Sequence, residues 1–321
     1  PRLVPVELAQ TLVDPEVFLE VPGRSAATGA VVLPGLLQEV VVGSVGEDEL
    51  DPWVLGDEPG QREALGLAVH VASCTWTVLG VVVLGVVSFV LLSFITAPYG
   101  RHLRPGWGPT VNARALWVIM EAPSPIAFAV LYFRSDNAFQ TVPLILLGMY
   151  MLHYVYRSFI YPFRMRGGHK QKPLVTGTLA FGFNIANGAT NAFAITELSP
   201  HLLNTSWLSD PRFIIGIIVF FAGYGINQHS DAILLNLRKP GESGYKIPFG
   251  GFYRFVSSPN YLGEIVEWIG FAFAAWTVPA WVFAWFTATN LVPLALANHR
   301  WYKEHCSDYP KDRRAIIPFV I

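Results

Sequence analysis

Long apolar runs separated by short polar loops dominate the chain from Thr75 onward. A helix needs roughly 20 mostly apolar residues to cross a bilayer, and seven runs approach or reach that length. These runs cover residues 75–97, 113–133, 142–161, 173–195, 213–235, 261–276 and 280–297. The pattern predicts an all-α polytopic membrane protein whose residues 75–321 form a bundle of seven transmembrane helices.

Residues 1–74 show a different pattern. They hold twelve acidic residues against three arginines, and they contain no apolar run long enough to span a bilayer. No basic stretch followed by an apolar segment and a small-residue cleavage site occurs there, so an ordinary signal peptide is not predicted. We expect an acidic N-terminal extension with some short strands or helices, and the sequence assigns it no role.

The composition agrees with a membrane protein, because 52% of the 321 residues are hydrophobic and only 14% are charged. A soluble domain usually carries about 25% charged residues. The basic residues lie in short loops between apolar runs, which argues against nucleic-acid binding. Cys74 and Cys306 are far apart and form no metal-binding spacing, so no metal site is predicted. We expect a monomer surrounded by membrane lipids.

The loop charges predict an orientation. Seventeen of the 22 basic residues fall on the membrane face that follows the first helix, whereas only Arg134 and Arg212 lie between helices on the opposite face. Basic loops favour the cytoplasmic side. We therefore expect the residues after the last helix to be cytoplasmic and the N-terminal extension to lie outside.

Glu121 is a carboxylic acid near the middle of the second predicted span. An ionised carboxylate at that depth costs about 2.5–3.5 kcal/mol, so the group should be protonated, paired or turned toward a cavity. One interpretation is a structural hydrogen bond between helices. The other is a protonated hydrogen-bond donor or general acid. Tyr154, one helix later, could donate a second hydrogen bond to a carbonyl oxygen, although a single tyrosine in a span is more typical of packing.

A second group of polar side chains recurs at helical spacing near a basic, glycine-rich loop. On three predicted helices they are Asn187; Asn227 and Asp231; and Asn260, Glu264 and Glu267. The intervening loop supplies Arg238, Lys239, Tyr245 and Lys246. Carboxylates and amides suit ribose and carboxamide groups, whereas Arg and Lys suit phosphates. A nucleotide site and a charge-paired bundle end fit these residues about equally well. No GxGxxG or Walker loop follows a strand, so a doubly wound nucleotide-binding fold is excluded.

Several motifs resemble the steroid 5α-reductases, with a bacterial member expected. They are LRKPGESGYKIPFGGFYRFVSSPNYLGEIVEWIGF, WYKEHCSDYPKDRRAIIPFVI, MEAPSP at Met120–Pro125, HYVYRSFIYP at His153–Pro162 and GINQHSD at Gly225–Asp231. The likeness covers about residues 107–321. It departs from the family at Met120, where the family has Gln, and near Leu179 and Leu294, where animal members have Arg.

The resemblance implies a seven-helix enzyme that reduces the 4,5 double bond of 3-oxo-Δ4 steroids with NADPH. Glu121 and Tyr154 would hydrogen-bond the 3-carbonyl of the substrate. The residues implied for cofactor binding are Asn187, Asn227, Asp231, Arg238, Tyr245, Asn260, Glu264, Glu267 and Tyr302. The cofactor face would be cytoplasmic, in a bacterial inner membrane or, in a eukaryote, the endoplasmic reticulum.

Other functions remain open on the residues alone. One is an S-adenosylmethionine-dependent methyltransferase of the isoprenylcysteine type, which shares the looser Asn-Tyr-x-Gly-Glu motif. Another is a sterol-binding or transport protein without catalysis. A third is a reductase of a different enone or a polyprenoid lipid.

Overall fold

A computed structural model describes residues 59–96, 102, 104–239, 242 and 244–321. In this part of the chain, nine α-helices form nearly all of the regular structure. They are α1 Pro59–Phe94, α2 Ala113–Glu121, α3 Pro123–Tyr132, α4 Thr141–Val155, α5 Tyr161–Arg164, α6 Leu174–Thr196, α7 Pro211–Asn236, α8 Pro259–Ala275 and α9 Val278–His305. Residues 1–58 of the predicted N-terminal extension lie outside the described residues, and residues 59–74 belong to α1. Two units divide the chain, residues 1–73 and 74–321.

Helices occupy each of the seven predicted segments, which confirms the mainly helical class. Within the described residues, four helical stretches are long and apolar enough to cross a membrane: Gly66–Phe94, Ala113–Tyr132, Pro211–Asn236 and Val278–His305. At 15 and 17 residues, α4 and α8 are shorter than a typical span, and α6 carries several asparagines. The count of seven spans stays a prediction.

The second predicted segment is two helices rather than one. α2 ends at Glu121 and α3 begins at Pro123, which occupies its first turn. A proline within a helix removes a backbone donor and crowds the preceding turn. Pro125 also lacks the N–H that would otherwise bond the Glu121 carbonyl. The break therefore falls beside the one carboxylic acid of this segment.

α4 continues through a π-helical turn, Tyr156–Ile160, before the short α5. Such turns are rare and occur frequently at functional sites. Arg157 lies in this turn, and its backbone carbonyl accepts a hydrogen bond from the indole nitrogen of Trp117 at 3.1 Å.

Glycines bring α7 and α8 into close antiparallel contact. A Cβ added at Gly223 would fall on the backbone nitrogen of Glu267, and one at Gly263 would fall on that of Asn227. Small residues allow membrane helices to approach at backbone distance. As a result, the polar residues of the two helices face one another closely.

Two short structures hold the ends of the helices on one side of the bundle. Strand β1, Thr110–Asn112, pairs antiparallel with β2, Gln171–Pro173, immediately before α2 and α6. After α9 the chain returns to the start of α8, where Arg314 forms an isolated parallel β-bridge with Val256. These two pairings fix where α2, α6 and α8 begin.

The core of residues 74–321 is aromatic. Trp268, Tyr150 and Phe128 are almost completely buried. The rings of Phe128 and Tyr150 stack with centroids 4.2 Å apart, and those of Trp268 and Phe283 lie 4.3 Å apart. This aromatic cluster packs beside the polar groups of the site.

Candidate functional site

A cavity of about 500 Å³ opens among α2, the π-helical turn, β2, α6, α7, α8 and α9. That volume lies in the range of small-molecule and cofactor sites. Its walls mix apolar groups such as Leu116 and Leu294 with charged groups such as Glu121, Arg157 and Lys172. The cavity thus offers an apolar surface and charged side chains to the same occupant.

The cavity brings together five of the eleven residues that the resemblance implied. Glu121, Arg238, Tyr245, Asn260 and Tyr302 line it. The other six lie outside the lining: Tyr154, Asn187, Asn227, Asp231, Glu264 and Glu267. Several of these are nevertheless connected to the lining residues through Arg157 and through hydrogen bonds. Their assignments to substrate or cofactor stay predictions.

Arg157 is the charged centre of the site. Its Nε lies 3.9 Å from Glu121 Oε1, its Nη1 3.9 Å from Asp231 Oδ2 and its Nη2 3.6 Å from Glu264 Oε2. The guanidinium carbon also lies 4.8 Å from the centre of the Trp117 ring. One guanidinium therefore approaches carboxylates from three different helices. The side chains of Arg157, Glu121 and Glu264 are 13–15% exposed, and that of Asp231 is nearly fully buried.

Asn184 connects the two groups assigned to the substrate carbonyl. Its Nδ2 donates to the backbone carbonyl of Met120 at 2.6 Å, and its Oδ1 accepts from the Tyr154 hydroxyl at 3.4 Å. Met120 immediately precedes Glu121. Asn184 is therefore positioned to set the distance between Tyr154 and the end of α2.

Asn187 binds the same tyrosine from the next turn of α6. Its Nδ2 donates to the hydroxyls of Tyr150, at 3.0 Å, and Tyr154, at 3.2 Å. Asn191 in turn donates to the side-chain oxygen of Asn187 at 2.9 Å. The asparagine stripe of α6 thus forms a buried chain of hydrogen bonds that orients Tyr154.

The amide and acid pairs of α7 and α8 also meet. Asn227 donates to the backbone carbonyl of Asn260 at 3.0 Å, and the Asn260 side chain donates to Asp231 Oδ1 at 3.2 Å. Asp231 is 1% exposed, and within the described residues its Oδ2 has no hydrogen-bond partner. This oxygen faces Arg157 Nη1 at 3.9 Å, which is longer than a hydrogen bond.

Glu267 lies in the core, outside the cavity lining. It is completely buried and its Oε1 is 2.9 Å from His153 Nδ1. The His153 ring is also 4.6 Å from that of Trp268. Glu267 thus has a protein partner in the core, and its assignment to the cofactor stays a prediction.

The predicted basic loop contributes to one part of the lining. Arg238 and Lys246 of this loop border the cavity, as does Arg166 from the segment between α5 and β2. Arg238 donates to the carbonyl of Gly244 at 2.9 Å, and Lys246 pairs with Glu242 at 2.6 Å. These contacts shape the loop and place basic side chains, which suit phosphate oxygens, along this part of the lining.

Ser257 closes the wall beside α8. Its hydroxyl hydrogen-bonds to His299 Nδ1 at 2.6 Å, to the Tyr309 hydroxyl and to the Arg314 carbonyl at 3.0 Å. The segment after α9 is thus tied directly to a residue that lines the cavity. Tyr302, in the last turn of α9, lies against Tyr309, with ring centroids 5.2 Å apart.

Lys172 is a further charged group in the lining, just outside the helices. Its Nζ lies 4.7 Å from the centre of the Trp117 ring. Burial and then the charge of Arg157 lower the pKa of Lys172 to about 8, although Glu121 opposes the shift. An amine in this position changes its charge near neutral to mildly basic pH.

Sequence reasoning missed Arg157, Asn184 and Lys172 as site residues. Arg157 is one of the seventeen basic residues on the face that follows the first helix, yet it lies within the predicted third span, and a charge inside a span is itself a signal of function. Asn184 recurs with Asn187 and Asn191 at helical spacing on one face of α6, and that spacing is the signal that could have found it. Nothing in the local sequence marks Lys172.

The apolar helices and the ionisable groups gathered between them define a helical membrane protein with an internal polar site. Comparison with known proteins identifies its family. The family model described as 3-oxo-5-alpha-steroid 4-dehydrogenase matches residues 170–321. Bovine 3-oxo-5-alpha-steroid 4-dehydrogenase 1 is 43% identical over 242 residues, which cover 74% of this chain and 93% of the relative.

Two further relatives agree. The human 3-oxo-5-alpha-steroid 4-dehydrogenase 1 is 44% identical over 225 residues, covering 69% of this chain and 85% of its own length. Steroid 5-alpha-reductase DET2 of Arabidopsis thaliana is 40% identical over 237 residues, covering 72% and 90%. The chain belongs to the 3-oxo-5-alpha-steroid 4-dehydrogenase family and is an oxidoreductase of that family. The family expected from the motifs is confirmed.

Proposed function

We propose that the protein reduces the 4,5 double bond of a 3-oxo-Δ4 steroid with NADPH as the reductant. One observation carries the proposal. Arg157 approaches both Glu121, the group assigned to the substrate, and Glu264 and Asp231, groups assigned to the cofactor. Hydride transfer requires the two reactants to lie side by side. Arg157 lines the cavity and approaches both sets of residues, which supports that arrangement.

The lining residues fit a dinucleotide. Arg238, Lys246 and Arg166 suit its phosphates, because guanidinium and ammonium groups form charge-assisted hydrogen bonds with phosphate oxygens. Asn260 and the buried Asp231 oxygen suit hydroxyl or carboxamide donors. We assign cofactor binding to Arg238, Tyr245, Asn260 and Tyr302 in the lining, with Asn187, Asn227, Asp231, Glu264 and Glu267 behind it.

When bound, NADPH supplies the hydride that is added to C5 of the enone. The protein's own task is to make the enone accept it. Glu121, in its protonated form, and the Tyr154 hydroxyl donate hydrogen bonds to the 3-carbonyl oxygen, on which negative charge develops as the 4,5 double bond is lost. A preorganised donor of this kind is worth about 2.7–4 kcal/mol. C4 then takes a proton, whose delivery we assign to Tyr154 or to water.

The charge balance of the site supports a protonated Glu121. Four carboxyl groups, those of Glu121, Asp231, Glu264 and Glu267, outnumber the three basic groups of Arg157, His153 and Lys172. Buried carboxylates without compensating cations are costly, and closely coupled groups share protons as a set. We place a shared proton on Glu121, where the substrate oxygen can accept it.

The decisive experiment is NADPH oxidation by the purified protein in lipid with progesterone or testosterone, with the product identified by mass spectrometry and chromatography. We expect a 5α-reduced product. The variant Glu121→Gln should lose most turnover and still bind NADPH, whereas Glu197→Gln, at an exposed position, should behave like the wild type. Near-normal turnover of Glu121→Gln would remove Glu121 from the mechanism.

Binding of NADPH separates the alternatives. Tight binding without steroid reduction would keep the reductase class and redirect the search to other enone or polyprenoid lipids. No NADPH binding, with binding of S-adenosylmethionine, would favour the methyltransferase. For the cofactor residues, we expect Glu264→Ala to weaken NADPH binding, and an unchanged dissociation constant would exclude Glu264 from the cofactor site.

We also propose the predicted topology of seven spans with the basic loops in the cytoplasm. The distribution of basic residues supports it. Labelling of single cysteines in sealed vesicles tests it, with positions 134 and 170 expected to react from opposite sides.

A further inference from the structure

An exposed apolar surface lies outside the helices, on the chain segments that meet just before α8. It consists of Phe252, Phe255, Ile317, Phe319 and Val320, and we call it the aromatic patch. The rings of Phe252 and Phe255 are 6.3 Å apart, and those of Phe255 and Phe319 are 5.7 Å apart. Phe319 is 79% exposed and Val320 71% exposed. Contiguous exposed apolar groups of this kind mark interaction surfaces.

The backbone holds this surface outward. Phe319 has a φ of 66°, a left-handed conformation that is unfavourable for a bulky residue. The turn is closed by hydrogen bonds from the backbone nitrogens of Ile316 and Ile317 to the carbonyl of Ile321, both 2.9 Å long. Unfavourable conformations that are fixed by surrounding bonds often serve a function.

Basic side chains border the patch. Arg254 lies between Phe252 and Phe255 in sequence and is exposed, as is Arg314. The Arg314 backbone makes the bridge beside α8, with its nitrogen bonded to the Phe255 carbonyl at 2.8 Å. Its side chain is therefore not needed for that bridge. Residues 300–314 hold three exposed acids, Glu304, Asp308 and Asp312, against four exposed bases, Arg300, Lys303, Lys311 and Arg314.

The patch also lies at the depth where the membrane should end. Phe255 precedes the first residue of α8, Pro259, by four residues, and the sequence predicts that the span begins at about residue 261. It belongs to the side of the protein that carries the predicted basic loops. Surfaces with aromatic and aliphatic groups next to Arg and Lys bind at the boundary of headgroups and acyl chains.

We propose that the aromatic patch inserts into the membrane interface on the side of the basic loops, and that Arg254 and Arg314 bind the headgroups of anionic phospholipids there. The proposal concerns the lipid that surrounds the protein, not the substrate. Insertion of the patch would attach residues 306–321 to the membrane, in addition to their attachment to the protein through the backbone bridge at Val256. Because that bridge adjoins Ser257 in the cavity wall, the lipid contact holds the wall of the site from outside.

The test uses the full chain, with Cys74→Ala and Cys306→Ser, reconstituted in vesicles. A bimane fluorophore on Val320→Cys reports contact with lipids that carry bromine on their acyl chains. Two vesicle preparations have the same mixture of phosphatidylglycerol and phosphatidylcholine. In one the phosphatidylglycerol carries the bromine, and in the other the phosphatidylcholine does. Lys311→Cys is the water-facing control and Val87→Cys, on an exposed face of α1, is the lipid-facing control. Ile317→Cys serves as a second labelling position.

We expect quenching at 320 close to that at 87 and well above that at 311, with brominated phosphatidylglycerol the stronger quencher. In the variant Arg254→Gln with Arg314→Gln, the preference for the anionic lipid should fall by about fivefold for each base removed. A preference that does not change would overturn the role of the two arginines.

Quenching at 320 and 317 no greater than at 311 would show that the patch faces water and would reject the proposal. A fluorophore that is shielded but not quenched, and becomes exposed when labelled protein is diluted with unlabelled lipid, would instead show contact with a second copy of the chain. That result would also reject the lipid as the occupant.

Discussion

Arg157 Nη2 lies 3.6 Å from Glu264 Oε2, so a residue of the π-helical turn after α4 meets a residue of α8 that is more than a hundred positions away in the chain. The same guanidinium approaches Glu121 and Asp231. It joins proposed substrate and cofactor groups, as the hydrogen bond from Asn187 to Tyr154 also does. Its removal should therefore affect both stability and function.

We expect Arg157→Met to lower the free energy of unfolding by about 3 kcal/mol, because removal of one member of a buried ionic group leaves the opposite charges uncompensated. NADPH affinity should fall as well. Arg157→Lys, which keeps the charge and loses the planar guanidinium, should give an intermediate result. Arg134→Gln, at an exposed position, is the control. Thermal unfolding in lipid and titration with NADPH measure both effects, and an Arg157→Met protein with normal NADPH affinity would contradict the linkage.

Tyr154 and Tyr150 provide a matched pair one helical turn apart. Both are buried and both accept a hydrogen bond from Asn187. Tyr154→Phe should reduce kcat by about 100-fold or more, since it removes a donor from the developing oxyanion. Tyr150→Phe loses its bond with Ser124 and should cost about 1 kcal/mol of stability with little loss of kcat. Equal losses of kcat in the two variants would assign Tyr154 to packing.

Gly223 and Gly225 on α7 provide a test of the contact between α7 and α8. A Cβ at Gly223 meets the backbone of Glu267, whereas nothing lies within 4 Å of a Cβ at Gly225. We expect Gly223→Ala to destabilise the protein by about 1–3 kcal/mol through overpacking. Gly225→Ala should be neutral or stabilising by up to about 1 kcal/mol, because alanine favours the helix. Thermal unfolding of the two variants compares them directly, and equal effects would show that the helices are not in backbone contact.

Lys172 predicts a dependence of stability on pH. Its pKa is about 8 in the folded protein and about 10.5 without the surrounding structure. Between these values the unfolded chain binds more protons, so this residue makes the free energy of unfolding rise with pH across that window. Below pH 8 both states carry the charge and the burial penalty is constant.

We therefore expect Lys172→Met to be more stable than the wild type below pH 8, and the difference should shrink between pH 8 and 10.5. Unfolding curves for both proteins at a series of pH values provide the measurement. Lys170→Met, two residues earlier and exposed, should show no such trend. A difference that stays constant up to pH 10.5 would contradict the lowered pKa of Lys172.

The helices could be placed from the sequence because apolar runs and their lengths are local properties. Each predicted segment contains a helix, and the proline-containing motif around Glu121 already marked an unusual position. The motifs also identified the family. The break between α2 and α3 follows from Pro123 and Pro125. Because the run around them is otherwise apolar, the sequence predicted one helix there, and only the structure shows two.

Only the tertiary structure decided which polar side chains meet. The approach of Arg157 to three carboxylates, the bridge of Asn184 between Tyr154 and Met120, and the pairing of Glu267 with His153 join segments that are 30 to 114 residues apart. Such contacts depend on how closely the helices pack, which the glycines of α7 and α8 permit, and on the turn geometry at residue 157. The sequence alone therefore determined where the protein is helical and apolar, while packing at backbone distance decided how its charges are paired.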